Sequence, residues 1–154
     1  MSERSGFRAG LRARRPWPAM IVALAVALTG ALGAAGPVRA DSCWMHNNSL
    51  MRLVASGTER RFVYESPREA LRAAGVRRGT LLFDGHNRGG WYSGHARVFS
   101  RHCPNTPMAY WVEGPVSDGQ LRVTMHGTRE VHQRCRPTGR FVTDTLVFTY
   151  AHRC

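Results

Sequence analysis

The chain has 154 residues, of which 22 are Lys or Arg and 10 are Asp or Glu, and its formal net charge is +12. Every basic residue is an arginine, which is typical of a GC-rich genome, so only the excess over acids is informative about partners. The sequence contains no internal repeat and no low-complexity tract, which excludes a repeat architecture.

The N-terminus has the three parts of a secretory signal peptide. Residues 4–15 are basic, residues 19–28 are apolar, and Val38 and Ala40 place small or modest side chains at the two positions that a signal peptidase reads. We therefore predict a signal peptide over residues 1–40, cleavage after Ala40, and a periplasmic or secreted protein. The alternative is a retained membrane anchor. A threonine and three glycines dilute the apolar run, and a spanning helix needs about 20 strongly apolar residues.

Removing 40 of the 154 residues leaves a single domain of 114 residues, 41–154. This size allows a modest core, and no second apolar run is long enough to span a bilayer. Sixteen of the 22 arginines and nine of the 10 acids lie in the domain, so its charge is about +7. A basic domain can bind nucleic acid, anionic lipid or acidic polysaccharide.

Four cysteines, an even number, lie in the predicted mature domain: Cys43, Cys103, Cys135 and Cys154. In an exported chain they predict two disulfides with three alternative connectivities. We expect Cys43–Cys103, which ties the first strand to the centre, and Cys135–Cys154, which closes a C-terminal hairpin. Each should stabilise the fold by about 2–4 kcal/mol. A zinc site is the alternative, but no CxxC pair supports it, and we predict no metal and no cofactor.

Seven short β-prone runs follow one another in the domain, separated by turn residues. They are residues 50–55, 60–65, 80–85, 91–99, 108–113, 120–126 and 143–151. Residues 41–48 look like a polar start, and residues 127–139 look irregular. Because helices do not alternate with the strands, the pattern predicts a mainly β fold. We expect one small, disulfide-stabilised antiparallel barrel or sandwich of about seven short strands.

One short helix is expected between the second and third strands, over residues 67–74. Ser66 can cap its first turn and Glu69 would complete a capping box. Gly75 can adopt the left-handed conformation that ends a helix. The helix should lie across one end of the sheet and close the core.

The central strand, residues 91–99, carries the main candidate binding face. Its alternation places Tyr92, Gly94, Ala96 and Val98 on one face, which we expect to point inward. The opposite, outward face carries Trp91, His95, Arg97 and Phe99, and the bordering arginines are Arg60, Arg61 and Arg122. Aromatic rings with arginine bind sugars, bases or anionic polymers. The alternative is that the aromatic rings pack under the helix or a loop.

A catalytic site has weaker support in the sequence. Asp84 and His86 are two residues apart and could form a dyad of a small hydrolase. The alternative is that Asp84-Gly85 begins a turn. No GxSxG motif and no spare cysteine accompany the pair. The seven histidines show no HxH or HExxH spacing.

Four short motifs resemble those of small uncharacterised exported proteins of alphaproteobacteria. They are Met51-Arg52-Leu53, Gly79-Thr80-Leu81-Leu82-Phe83-Asp84-Gly85, Ala96-Arg97-Val98-Phe99-Ser100 and Thr145-Leu146-Val147-Phe148. The resemblance covers most of the mature chain. It implies location and fold, and it carries no activity and no functional residue.

Together these features predict an exported, non-enzymatic binding module for an anionic component of the cell envelope. The candidate partners are an anionic polysaccharide or lipid, and nucleic acid is not expected. Two alternatives remain open: the small hydrolase using Asp84 and His86, and a protein-binding or inhibitory module that docks by a sheet edge.

Overall fold

Eight antiparallel strands pair in sequence order, and the last pairs with the first to close a barrel. The structure, a computed structural model, describes residues 40–154. The strands are β1 (Ala40–His46), β2 (Ser49–Ser56), β3 (Glu59–Ser66), β4 (Leu81–Arg88), β5 (Trp91–Ser100), β6 (Cys103–Ser117), β7 (Arg122–Gln133) and β8 (Arg136–Arg153). The predicted mainly β antiparallel fold is confirmed, and of the two expected architectures the barrel is the one observed.

The predicted signal peptide lies outside the described residues, apart from Ala40, which begins β1. Within residues 40–154, no helix is long and apolar enough to cross a membrane.

Two regions that looked polar in the sequence are strands. The first is β1, whose inward residues include the buried His46 beside Trp44, so its apolar alternation is incomplete. The second is the β7–β8 hairpin, which extends through residues 127–143. Much of this extension lies beyond the packed core, and the side chains on both of its faces are exposed. No inside-outside pattern therefore marks it as a strand.

The predicted helix is reduced to one turn. Helix α1 spans Glu69–Arg72, its N-cap is Arg68, and no side chain caps it. The expected capping box is therefore wrong, because Ser66 still belongs to β3. Gly75 does have the left-handed backbone, with φ of 86°. A single 3-10 turn, Asp118–Gln120, connects β6 to β7.

Stacked aromatic rings fill the middle of the barrel. The rings of Phe62 and Phe148 lie 3.9 Å apart at 9°, and the Trp44 ring meets Phe62 edge-on at 5.9 Å. Phe83 and Tyr92 complete the cluster. The inward orientation predicted for Tyr92 and for other β5 residues of the same parity is observed, because Tyr92 and Ala96 are buried.

Inward glycines let neighbouring strands approach closely where the barrel wall bends. A Cβ on Gly94 would lie 2.2 Å from the carbonyl oxygen of Asp84 on β4, and one on Gly114 would lie 1.9 Å from that of Thr124 on β7. Because these neighbours are backbone atoms, they cannot move away cheaply. The glycines therefore allow the strong strand curvature that closes a small barrel.

Two disulfides form, but the predicted pairing is wrong. Cys43 bonds to Cys154 and Cys103 bonds to Cys135. We expected Cys135 and Cys154 to close a C-terminal hairpin, whereas barrel closure brings β8 back to β1 and places Cys43 opposite His152. The second bond joins the start of β6 to the turn between β7 and β8.

Candidate functional site

Connections alternate between the two ends of a barrel whose strands pair in sequence order. One end, here called the hairpin end, therefore carries the β1–β2 turn, α1, the β5–β6 turn and the tip of the β7–β8 hairpin. A cavity of about 300 Å³, the mouth cavity, opens at this end. An eight-stranded barrel is just wide enough to be filled by side chains or to hold one small ligand. Here aromatic rings fill the middle, and polar groups line the opening.

A polar network joins three strands on the wall of the mouth cavity. The Tyr110 hydroxyl on β6 donates to Asp144 Oδ2 on β8 at 3.0 Å, and Arg129 Nε on β7 donates to the same oxygen at 2.5 Å. Burial, followed by the charge of Asp144, raises the pKa of Tyr110, so this hydroxyl stays a donor. The other carboxylate oxygen, Asp144 Oδ1, accepts no hydrogen bond from residues 40–154 and is an open acceptor.

Buried His46 lines the mouth cavity in its neutral form, from β1, the strand that pairs with β8. Its ring stacks on Phe148 with centroids 4.5 Å apart. Its Nδ1–H donates to the Val147 carbonyl at 2.9 Å, and its Nε2 accepts from Asn47 Nδ2 at 3.2 Å. Burial lowers the pKa of His46, the hydrogen bond to Val147 opposes this shift, and the charge of Arg68 adds to it. The histidine therefore adds no positive charge at neutral pH.

Two groups at the mouth have no partner of their own among residues 40–154. Arg68 is exposed and forms no ion pair within this part of the chain. Tyr64 is only 3% exposed, and its hydroxyl makes no hydrogen bond to a described residue. Burial raises the pKa of Tyr64 to about 12, an effect that the charge of Arg68 opposes. A cation and a protonated hydroxyl donor thus lie close together at the opening.

Local structure explains where Arg68 sits. Its backbone N–H donates to the buried Ser49 Oγ at 3.0 Å, which ties the chain before α1 to the start of β2. The neighbouring Leu71 packs against the core from the helix. These contacts place the Arg68 side chain over the mouth cavity.

The barrel wall is incompletely paired between β6 and β7, and this gap is here called the side slot. Their pairing is confined to Glu113–His126, Val116–Val123 and Ser117–Arg122. Nearer the hairpin end, a cavity of about 170 Å³ lies between the two strands. The residues that line both this cavity and the mouth cavity are Val98, Tyr110 and Arg129.

The structure assembles part of the predicted outward face. Arg61, Asp84, His95 and Trp111 occupy successive register positions across β3 to β6. The Trp111 ring is 51% exposed and meets the His95 ring edge-on at 5.3 Å. Trp111 was missed by the sequence analysis, although its parity on β6, opposite to that of buried Val112, marks it as outward.

Within this outer wall, Arg97 donates to Asp84 Oδ1 at 2.5 Å. Trp91 is 47% exposed and lies on the same face of β5 as His95, four residues away. Arg61, His95 and Arg97 are thus brought together around one carboxylate, and Trp91 stands apart from them.

Three other residues of the predicted face lie elsewhere. Arg60 points to the Tyr92 side of β3 and donates to the Gly57 carbonyl at 2.7 Å. Arg122 pairs with Asp118 beyond the end of β6. The outward position expected for Phe99 is wrong: a bulge between Val98 and Ser100 turns its ring inward, and it meets Tyr64 at 5.9 Å. A bulge reverses the inside-outside alternation of the residues that follow it, and no local sequence signal predicts this bulge.

The structure gives the hydrolase alternative no support. Asp84 is ion-paired with Arg97, and within residues 40–154 no hydrogen bond joins Asp84 to His86. His86 is exposed at a position paired with Ser93. Across residues 40–154, no group of three or more His, Cys, Asp or Glu side chains could hold a metal ion.

Of the residues that line the mouth cavity, only Arg97 and Phe99 belonged to the face predicted from the sequence, and the polar network was not singled out. A usable signal exists, because Asp144 shares its parity with buried Leu146 and Phe148, and Arg129 shares its parity with buried Met125. A charged residue in phase with inward apolar residues marks a polar part of a barrel interior. Comparisons with protein-family models, with curated proteins and with solved structures find no match to this chain.

Proposed function

We propose that this protein is an exported binding module that holds a hydroxylated anion, such as a uronic acid unit of an envelope polysaccharide, in the mouth cavity. The observation that carries the proposal is the proximity of Arg68, which has no carboxylate partner among residues 40–154, to the hydroxyl of Tyr64, which lines the same cavity. The middle of the barrel is filled by aromatic rings, so the mouth is the part of the interior open to a ligand.

The open groups define the chemistry of the ligand. Arg68 and Tyr64 offer donors to an anionic oxygen, and Asp144 Oδ1 offers an acceptor to a hydroxyl. Arg129 balances the charge of Asp144, so Arg68 leaves the cavity attractive to an anion. A hydrogen bond to a charged group contributes about 1.5–3 kcal/mol, and a ligand that meets both requirements carries a carboxylate and hydroxyls.

The proposed location is the periplasm or the exterior. The two disulfides are typical of an oxidising compartment, and the N-terminal pattern of residues 1–40 is that of a signal peptide. The resemblance to exported alphaproteobacterial proteins agrees with this proposal.

Calorimetric titration with galacturonate, galactose and inorganic phosphate tests the function. We expect galacturonate to bind, and galactose to bind about tenfold or more weakly because it lacks the charge. Arg68→Gln and Tyr64→Phe should each weaken galacturonate binding, the first by about tenfold or more. Arg88→Gln, at the opposite end of the barrel, is the matched control. Equal affinities of the wild type for galacturonate and galactose would refute the proposed site. Equal losses of galacturonate affinity in Arg68→Gln and Arg88→Gln would also refute it.

A second candidate is the outer wall that carries Trp91, His95 and Arg97, with Trp111 beside them. The exposure of both tryptophans favours stacking of a sugar ring on the barrel exterior. Trp111→Ala distinguishes the two sites, because it should abolish binding at the wall and leave binding in the mouth cavity unchanged.

Docking by a sheet edge has less support. The barrel pairs each strand on both sides, and the free edge of β6 at the side slot contains Pro104 and Pro107. Proline lacks the N–H that strand addition needs and is a common protection of exposed edges.

A further inference from the structure

We propose that the ligand is a linear acidic polysaccharide held along an inner stretch of its chain, which enters the mouth cavity, leaves through the side slot and continues along an arginine-rich surface. This inference rests on the proposed function and adds the length, the path and the polymeric nature of the ligand.

Two cavities adjoin at this end of the barrel. A single pocket accepts a free small molecule or a chain end, whereas two adjoining cavities can hold neighbouring units of one chain. The mouth cavity opens at the hairpin end, and the side slot lies in the wall where β6 and β7 stop pairing after Glu113–His126. Their shared lining by Tyr110 and Arg129 makes the two spaces adjacent.

Polar groups line the junction between the mouth cavity and the side slot. Tyr110, Arg129 and Asp144 meet there in one hydrogen-bonded network, and Glu130 and His132 line the outer side. An alkyl chain would remove water from these groups and offer no hydrogen bond in return, which is unfavourable. A sugar chain can satisfy them with its hydroxyls, so an acidic glycan fits better than a lipid tail.

Positive charge lies beside the side slot. Four exposed arginines, here called the arginine arm, lie in the β5–β6 turn and near the tip of the β7–β8 hairpin: Arg101, Arg134, Arg136 and Arg140. None forms an ion pair within residues 40–154.

The disulfide Cys103–Cys135 fixes the arginine arm in place. It bonds the first residue of β6 to the residue between Arg134 and Arg136, which brings the hairpin tip beside Arg101. Glu130, an acid of the same hairpin, accepts a hydrogen bond from the Gly139 N–H at 2.8 Å. Because the four arginines outnumber this one carboxylate, the surface beyond the slot is net positive and complementary to a polyanion.

Single-stranded nucleic acid is the competing polyanion. Its binding grooves combine positive charge with several exposed rings on which successive bases stack. On the hairpin, Phe141 is an exposed ring, at 66%, whereas the Tyr64 ring of the mouth packs against Phe99. A single exposed ring does not provide the stacking series that nucleic acid requires, so the structure favours a glycan.

The test compares galacturonate oligomers of one, three and six units by calorimetric titration. We expect affinity to rise about tenfold or more from the monomer to the hexamer and to fall with added salt. Arg136→Gln/Arg140→Gln should lower hexamer affinity about tenfold and leave monomer affinity unchanged. The matched control, Arg88→Gln/Arg153→Gln, removes the same charge elsewhere and should change neither.

Ala109→Trp, which fills the outer side of the slot from an exposed position, should also weaken hexamer binding selectively, and Ala151→Trp is its control. Monomer binding without a gain for the hexamer would overturn this inference and leave the proposed function standing. Equal losses of hexamer affinity in the two double-arginine variants would also overturn it. Displacement of the hexamer by an equal concentration of oligothymidylate would do the same. Absence of monomer binding would refute the proposed function itself.

Discussion

Replacing each disulfide by a pair of alanines measures how much barrel closure constrains the unfolded chain. The Cys43–Cys154 bond joins residues 111 positions apart, and the Cys103–Cys135 bond joins residues 32 apart. In the chain-entropy treatment, these loops correspond to about 4.8 and about 3.7 kcal/mol of unfolding free energy. Cys43 and Cys103 are similarly buried, at 2% and 4% exposed, so their loss from the core should differ little.

We therefore expect Cys43→Ala/Cys154→Ala to destabilise the protein by about 1 kcal/mol more than Cys103→Ala/Cys135→Ala. Equilibrium urea unfolding, followed by tryptophan fluorescence, gives both free energies from the midpoint and slope. The double alanine variants leave one intact disulfide and no unpaired partner, so the comparison is internally matched. A larger loss of unfolding free energy in Cys103→Ala/Cys135→Ala would refute the entropic reasoning. No loss of unfolding free energy in Cys43→Ala/Cys154→Ala would refute it as well.

Other substitutions test the core, the barrel curvature and the buried ionisable groups. Phe62→Ala should cost about 3–5 kcal/mol in urea unfolding, because it empties the centre of the aromatic cluster, whereas Phe141→Ala at the exposed hairpin should cost under about 0.5 kcal/mol. Gly114→Ala should cost about 3 kcal/mol or more, since its Cβ would overlap the Thr124 carbonyl; a wild-type midpoint would refute the proposed curvature. His46 has a lowered pKa in the fold, so its contribution is fully present above the unfolded pKa of about 6.5 and is lost as pH falls. His46→Gln should flatten the acid side of the stability profile, and an unchanged slope would contradict the burial argument.

Alternation of apolar residues predicts the strands that have one face on the core and one in solvent. It succeeds for β5, where Tyr92 and Ala96 are buried and Trp91 is exposed. It fails for β1, whose inward positions include His46, and for the outer part of the β7–β8 hairpin, which lies beyond the packed core. The Phe99 bulge likewise has no local sequence signal.

Features that depend on closure could not be derived from local sequence. The pairing of Cys43 with Cys154 follows from β8 returning to β1, which requires the strand order of the whole barrel. The mouth cavity depends on the same closure, because its lining joins His46 of β1 and Tyr64 of β3 to Asp144 of β8. Sequence parity could have placed Asp144 inside, but it could not have shown which residues it meets.

A crystal structure of the protein with bound trigalacturonate tests the central claim most directly. We expect density for a sugar ring in the mouth cavity. Its carboxylate should accept hydrogen bonds from the Arg68 guanidinium and the Tyr64 hydroxyl, and one of its ring hydroxyls should donate to Asp144 Oδ1. An empty mouth with the sugar stacked on Trp111 at the outer wall would contradict it.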